Sequence, residues 1–210
     1  MRPRAIAQTA KRKGLDIVSV VDHVCGKNMR AAKTAVEDEG ILFLPGIEVT
    51  AKRGTHLLCY FKDIETAVMF SEKIYASLSG KVSDHARGDQ LILDEKDRIV
   101  GEAKKSLSLA TPYSVWEIIG LVVVYAGIVV PAHINRAYNG FLLSEDLDIA
   151  AYGFSAVEVK KTEEMDYGII KGTKVIYNSD AHWLFSIMGR ENYLDVSEKS
   201  VDAVFDYLRT

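Results

Sequence analysis

Four of the five histidines in this chain fall at the edges of short apolar runs, and three of them have a carboxylate nearby. Val21-Asp22-His23 closes one run, Glu48 follows Leu44-Pro45-Gly46-Ile47, and His56 opens His56-Leu57-Leu58-Cys59-Tyr60-Phe61. Pro131-Ala132-His133 and Asn178-Ser179-Asp180-Ala181-His182 repeat the arrangement. Neutral imidazoles and carboxylates around an open position are what metal-assisted hydrolysis needs, because a bound cation lowers the pKa of water and offsets substrate charge. Asp180 and His182 are two apart, so in an extended segment their side chains point the same way. Each residue also has a structural reading. A lone strand-end histidine is commonly just hydrogen-bonded, Asp22 and Asp180 suit turns or caps, and Glu48 after Pro-Gly suits solvent. The repetition at apolar edges favours the metal reading. His85, in the polar stretch Ser83-Asp84-His85-Ala86-Arg87, reads as structural.

The elements that must position these residues follow from periodicity. Pro3 to Lys13 reads as a helix with proline in its first turn and Gly14 as its stop. Leu15 to Val21 is a buried strand, Asn28 to Glu39 a helix stopped by Gly40, and Ile41 to Ile47 a second strand. Thr55 to Phe61 is a third strand, with His56, Leu58 and Tyr60 on one face. Ile64 to Leu78 is a helix. Thr111 or Ser114 can cap the next one, with Pro112 in its first turn. Ile128 to Ala132, Ser155 to Val159 and Lys174 to Asn178 read as strands, and Ser197 to Leu208 as the closing helix. The alternation of strand and helix predicts a parallel α/β arrangement, open or closed, with the site at the strands' C-terminal ends. The pattern breaks over 80–109, which reads as an insertion carrying a β-hairpin on a single domain spanning 1–210, and as a source of specificity.

Composition excludes several classes. At 210 residues, with 48% hydrophobic and 26% charged residues, the chain suits one globular domain. A net charge of -3 gives no global pull toward nucleic acid or anionic membrane. Two cysteines, Cys25 and Cys59, make no disulfide framework and point to a reducing compartment. The apolar stretch Leu121 to Ala132 is too short to span a bilayer, and the basic N-terminus lacks the apolar core of a signal peptide. The expectation is a cytoplasmic protein.

Taken in order, Val21-Asp22-His23, Leu44-Pro45-Gly46-Ile47-Glu48-Val49-Thr50, the run from His56 to Phe61, Pro131-Ala132-His133 and Ser179-Asp180-Ala181-His182 resemble successive motifs of the PHP (polymerase and histidinol phosphatase) superfamily. Each motif is weakly specific; the ordered set is not. The resemblance implies a distorted (β/α)7 TIM-like barrel and hydrolysis of a phosphate ester by metal-activated hydroxide, with two or three Mn, Zn or Fe ions. It implies that Glu48 bridges two metals, that His56 and His133 complete the second metal's shell, and that Asp180 binds the first. It further implies that His23 and His182 bind a third, with Asp22 orienting the cluster. Glu48, Asp180 and Asp22 would then be the catalytic carboxylates, and Arg136, three residues after His133, could contact a phosphate oxygen or simply sit on the surface.

The family opens with a strand ending in His-x-His, and no such segment is present, so the expected barrel lacks its first strand. Either a preceding segment supplies the pair or the chain is naturally short with a degraded site; the five intact motifs favour the former. The expected partner is a small phosphorylated substrate, with nucleotides in scope, nucleic acid left open and no membrane. Oligomeric state is undetermined. The alternatives are a non-catalytic metal- or nucleotide-binding module, and an amidohydrolase-type barrel, which would want a bridging lysine or another His-x-His.

Overall fold

The structure is a computed structural model, and it describes residues 1–80, 89–144 and 149–210. Helix α1 (Pro3–Arg12) starts on proline and ends with Lys11 and Arg12 against the negative end of its dipole. Gly14 takes φ +72°, and its N–H bonds the Lys11 carbonyl at 3.0 Å. Strand β1 (Ile17–Val18) leads through helix α2 (Met29–Asp38) to strand β2 (Leu42–Phe43), which pairs with it in parallel. Ala7 and Ala10 of α1 belong to the same buried cluster as Ala32, Ala35 and Val36 of α2.

Strand β3 (Gly46–Thr50) and strand β4 (His56–Tyr60) are antiparallel, with Glu48 opposite Leu58 and Thr50 opposite His56. Helix α3 (Ile64–Ser77) begins at Asp63, whose carboxylate accepts the Thr66 N–H at 2.8 Å. Strands β5 (Leu91–Leu93) and β6 (Ile99–Glu102) form the expected hairpin. Helix α4 (Val115–Val124) carries a reciprocal capping box between Ser114 and Glu117. Strand β7 (Ile128–Pro131) pairs antiparallel with β4. Helix α5 (Phe141–Ser144) precedes the parallel pair β8 (Ala156–Glu158) and β9 (Lys174–Ile176), and helix α6 (Val201–Arg209) closes the description.

The expectation of a parallel arrangement is corrected in the central sheet, where β3, β4 and β7 pair antiparallel. Only residues 51–55 separate β3 from β4, too few for a parallel crossover, which needs a dozen or more. The chain therefore turns back as a hairpin. Because β7 also runs against β4, it is parallel to β3, and the start of β4 lies at the same end as the finish of β3 and β7. That is why His56, at a strand start, meets residues at strand ends.

Other boundaries shift for local reasons. The run from Ile41 to Ile47 is two strands, β2 and β3, divided at Leu44-Pro45. Pro112 lies ahead of α4, since Ser114 is the cap; Thr111 instead bonds β3, its N–H and hydroxyl meeting the Thr50 carbonyl at 2.8 and 2.9 Å. His85 lies outside the described residues.

Among the described residues the sheets are small and open, one of three strands and three of two. The apolar side chains divide into two clusters. One gathers α1 to α4 against one face of β3 and β4, through Ile47, Val49, Leu57 and Cys59. The other gathers the opposite faces, with Leu44, Leu58, Tyr60, Val130, Ala156 and Ile176 packed on Val204, Phe205 and Leu208 of α6. Glu48 and His56 belong by alternation to this second face, beyond its apolar floor. No helix among the described residues is long and apolar enough to cross a membrane.

Candidate metal centre

Glu48 occupies the middle of β3 and is 6% exposed. Asp22 and His23 follow β1 and reach it through backbone pairing. The Glu48 N–H bonds the Asp22 carbonyl at 3.2 Å, the Val24 N–H bonds the Glu48 carbonyl at 2.8 Å, and His23 and Glu48 form an isolated parallel bridge. His56 is held by its own N–H on the Asn139 carbonyl and its carbonyl on the Ala132 N–H, both at 3.0 Å. His133 ends β7.

These anchors bring three imidazoles around one carboxylate. His56 Nδ1 lies 2.8 Å from Glu48 Oε1, His133 Nε2 lies 3.5 Å from the same oxygen, and His23 Nε2 lies 3.6 Å from Oε2. The His56 ring centroid is 4.9 Å from that of His23 and 5.2 Å from that of His133. Ligand atoms from His23, Glu48 and His56 all fall within 4.8 Å of one another.

The cluster leaves polar atoms unsatisfied. Nδ1 of His23 and both ring nitrogens of His133 are buried without a hydrogen-bond partner, and Nδ1 of His56 has only the Glu48 carboxylate beside it. A buried orphan of this kind costs about 1–3 kcal/mol, so several in one place call for a ligand that accepts their lone pairs. Imidazoles and a carboxylate suit a divalent transition metal. The donor set fits the metal that the sequence implies.

Electrostatics favour the ligating forms. Burial alone would push the Glu48 carboxyl up, yet the neighbouring His133 and His56 imidazoles outweigh it and hold it well below the usual carboxylate range. Burial pushes His23 down, only partly offset by Glu48, so its ring is neutral at pH 7. Burial pushes Asp22 up, against its contact with Asn28.

Asp180 and His182 stand apart from the orphaned nitrogens. Asp180 Oδ2 is engaged by Arg136 Nη1 at 2.9 Å, and His182 Nδ1 lies 2.9 Å from the Asp180 carbonyl oxygen. His182 is still close enough to His23 for their charges to interact. The backbone is strained at this end of the fold: Val24, His133 and Asp180 take φ of +46°, +29° and +44°. Such angles in non-glycine residues cost energy and cluster at functional sites.

Sequence reasoning missed two members. Glu158, at the end of β8, is 4% exposed; it accepts the His133 N–H on Oε1 at 3.1 Å and the Asn178 amide on Oε2 at 2.5 Å. Burial pushes its carboxyl up, with the Asn178 contact opposing. Its signal was a single carboxylate inside the apolar run Ala156-Val157-Glu158-Val159, the same signature that marked Glu48. Asn28 was the other. Its amide donates to Asp22 Oδ2 at 3.4 Å and to the Leu91 carbonyl at 3.0 Å, and accepts the Leu93 N–H at 2.9 Å. It ties the β5–β6 hairpin to the edge of the candidate centre.

Comparison with known proteins places the fold. No family model and no curated protein sequence matches the chain. Among solved structures, the lesion-specific endonuclease Q of Pyrococcus furiosus aligns with a TM-score of 0.70 at 19% identity, over 98% of this chain and 50% of its own. An endonuclease Q complex with a 27-mer duplex bearing an abasic lesion at the active site aligns at 0.66 and 19% identity, over 95% and 49%. A protein described as a putative metal-dependent phosphoesterase, from Bifidobacterium adolescentis, aligns at 0.61 and 20% identity, over 99% and 90%. The chain thus spans about half the length of endonuclease Q. At 19–20% identity these likenesses show a fold shared with endonuclease Q and with that phosphoesterase.

Proposed function

We propose that this chain is a PHP-type, metal-dependent hydrolase of phosphate esters. The observation that carries the reading is the convergence of unpartnered, buried imidazole nitrogens on the Glu48 carboxylate. His23, Glu48, His56 and His133 would hold Mn, Zn or Fe, and Asp180 and His182 would extend the set to two or three ions. A bound cation supplies Lewis acidity toward the phosphoryl oxygens and a lowered pKa for water. The chain's own residues do the rest. Asp22 orients the β1 end through Asn28, and Arg136, with its planar fork beside Asp180, binds a non-bridging phosphate oxygen. The two-sided packing of β3, β4, β7, β8 and β9 supports a distorted (β/α)7 TIM-like barrel over a single domain, with the hairpin insertion as a rim element.

The test is calorimetric titration with Mn2+ and Zn2+, followed by a phosphoester panel with wild-type protein and Glu48→Gln. Metal-dependent release of phosphate or alcohol by the wild type, and none by the variant, is expected. Stoichiometric metal without turnover on any substrate would sink the enzymatic reading and favour a non-catalytic binding module.

One observation favours nucleic acid over a small phosphomonoester. Tyr138 (80% exposed), Trp183 (65%) and Phe185 (81%) stand on the loops that follow β7 and β9, the same loops that carry Arg136 and His182. Exposed aromatic rings beside an arginine suit stacking of unpaired bases. The endonuclease Q complex, with a duplex lesion at its active site, has a related fold. Cleavage of an abasic or single-stranded oligonucleotide, with p-nitrophenyl phosphate and mononucleotides untouched, would select this reading. The opposite pattern would remove it.

A further inference from the structure

The histidine that follows β7 in the candidate centre is held in an unfavourable backbone conformation, and the means of holding it lies outside every residue with a proposed metal-binding role. His133 sits at φ +29°, where a side-chain-bearing residue is disfavoured. Three contacts to the end of β8 secure the turn. The His133 N–H is accepted by Glu158 Oε1 at 3.1 Å, the Ile134 N–H by the Glu158 carbonyl at 2.9 Å, and Asn135 exchanges bonds with Lys160 at 3.0 and 2.9 Å. The second oxygen of Glu158 takes the amide of Asn178, two residues before Asp180. Glu158 therefore spans from the strand end that presents His133 to the one that presents Asp180. It is buried at 4% exposure, and both of its oxygens are used as acceptors.

We propose that Glu158 is a positioning residue: a buried carboxylate brace that fixes the kinked backbone of His133 and the approach of the β9 segment, setting where their donors meet Glu48. It is not a ligand. The inference rests on the metal-dependent reading of the site. Groups that orient metal ligands typically account for about 10–100-fold in affinity when removed. The brace depends on acceptor geometry rather than charge. A glutamine at 158 can still accept the His133 N–H, and its amide can donate to Asn178 once that side chain turns its oxygen inward.

Three variants test this, Glu158→Ala, Glu158→Gln and Asn178→Ala. Each is compared with the wild type by Mn2+ calorimetry, by the Co2+ absorption spectrum, and by NMR-detected exchange of the His133 amide in metal-free protein. Glu158→Ala is expected to lose about 10–100-fold in Mn2+ affinity, alter the Co2+ spectrum and lose His133 amide protection. Glu158→Gln is expected to keep all three within about threefold, since both contacts survive. Loss in the glutamine variant as large as in the alanine variant overturns the brace and makes the charge itself the functional feature. Unchanged His133 exchange in Glu158→Ala overturns it as well. If that variant does not fold, protection retained in Glu158→Gln together with weakened Mn2+ binding in Asn178→Ala sustains the proposal, and the reverse pattern removes it. A wild type that binds no metal defeats the functional reading, while the exchange measurement still decides the brace.

Discussion

Glu48 is a carboxylate whose nearest polar neighbours are three rings with little else to bond. Replacing it with glutamine keeps the volume and removes the anion, so Glu48→Gln should bind Mn2+ at least about tenfold more weakly, read by calorimetry. The pH dependence of the metal-free protein follows from the same residues. The folded-state pKa values of Glu48 and His23 both lie below their ordinary values. The unfolded chain then takes up protons first as pH falls, so stability drops on acidification. For His23 the loss begins near the ordinary histidine pKa of about 6.5, and for Glu48 near about 4.3. Urea midpoints should therefore decline from pH 7.5 to 5.5, and less steeply in His23→Gln; equal slopes would remove His23 as the source. His23, Glu48, His56 and His133 were legible in the sequence because ligand side chains are out of place at apolar strand edges. The roles of Glu158 and Asn28 were not: Glu158 stood out as a carboxylate in an apolar run, but its partner is a backbone N–H 25 residues away, and that of Asn28 is a hairpin 63 residues away.

At the scale of elements, the hairpin of β3 and β4 decides the site. It brings the start of one strand level with the end of its neighbour, Thr50 opposite His56, so His56 and Glu48 share an end of the fold. The sequence held the clue in the five residues between them, too short for a crossover, but the apparent alternation of helix and strand argued for a parallel pair. Gly46 explains how closely the strands approach. A Cβ there would meet Tyr60 Cδ1 at 2.7 Å and the Cys59 carbonyl at 3.0 Å. The motif Pro45-Gly46 therefore reports tight packing at a strand start as much as a turn. Gly46→Ala should destabilise by about 1–3 kcal/mol in chemical denaturation. It should also weaken Mn2+ binding, since the displaced strand carries Glu48; destabilisation with unchanged affinity would separate the hairpin's packing from the site. Helix ends were easier to read, because caps are local: Ser114→Ala in α4 should cost about 1 kcal/mol and leave metal affinity alone.

At the scale of the molecule, the candidate metal centre is a joint between small sheets linked to one another by a few backbone hydrogen bonds. Its donors come from the ends of the β1–β2 pair and the three-stranded sheet, and the braces beneath it from β8 and the segment after β9. Ladder hydrogen bonds tie each piece internally, but among the described residues these sheets do not join into one. The apolar floor built on α6 packs one face of them, and the larger cluster packs the other. A cation drawing His23, Glu48, His56 and His133 together would link the pieces at the other end and relieve the orphaned nitrogens. Binding to the folded state alone stabilises by RT ln(1 + [L]/Kd), about 2.7 kcal/mol at a hundredfold excess over Kd. Mn2+ or Zn2+ should accordingly raise the thermal midpoint by several degrees, chelation should return it, and Glu48→Gln should abolish the shift. Hydrogen exchange should show where the gain falls. Amides at Glu48, Val24 and Ile134, which cross between the pieces at the site, should slow most on adding metal, whereas those of the β5–β6 hairpin, whose link runs through Asn28, should slow less. Uniform slowing across both regions would mean that the cation acts on global stability and does not join separate pieces.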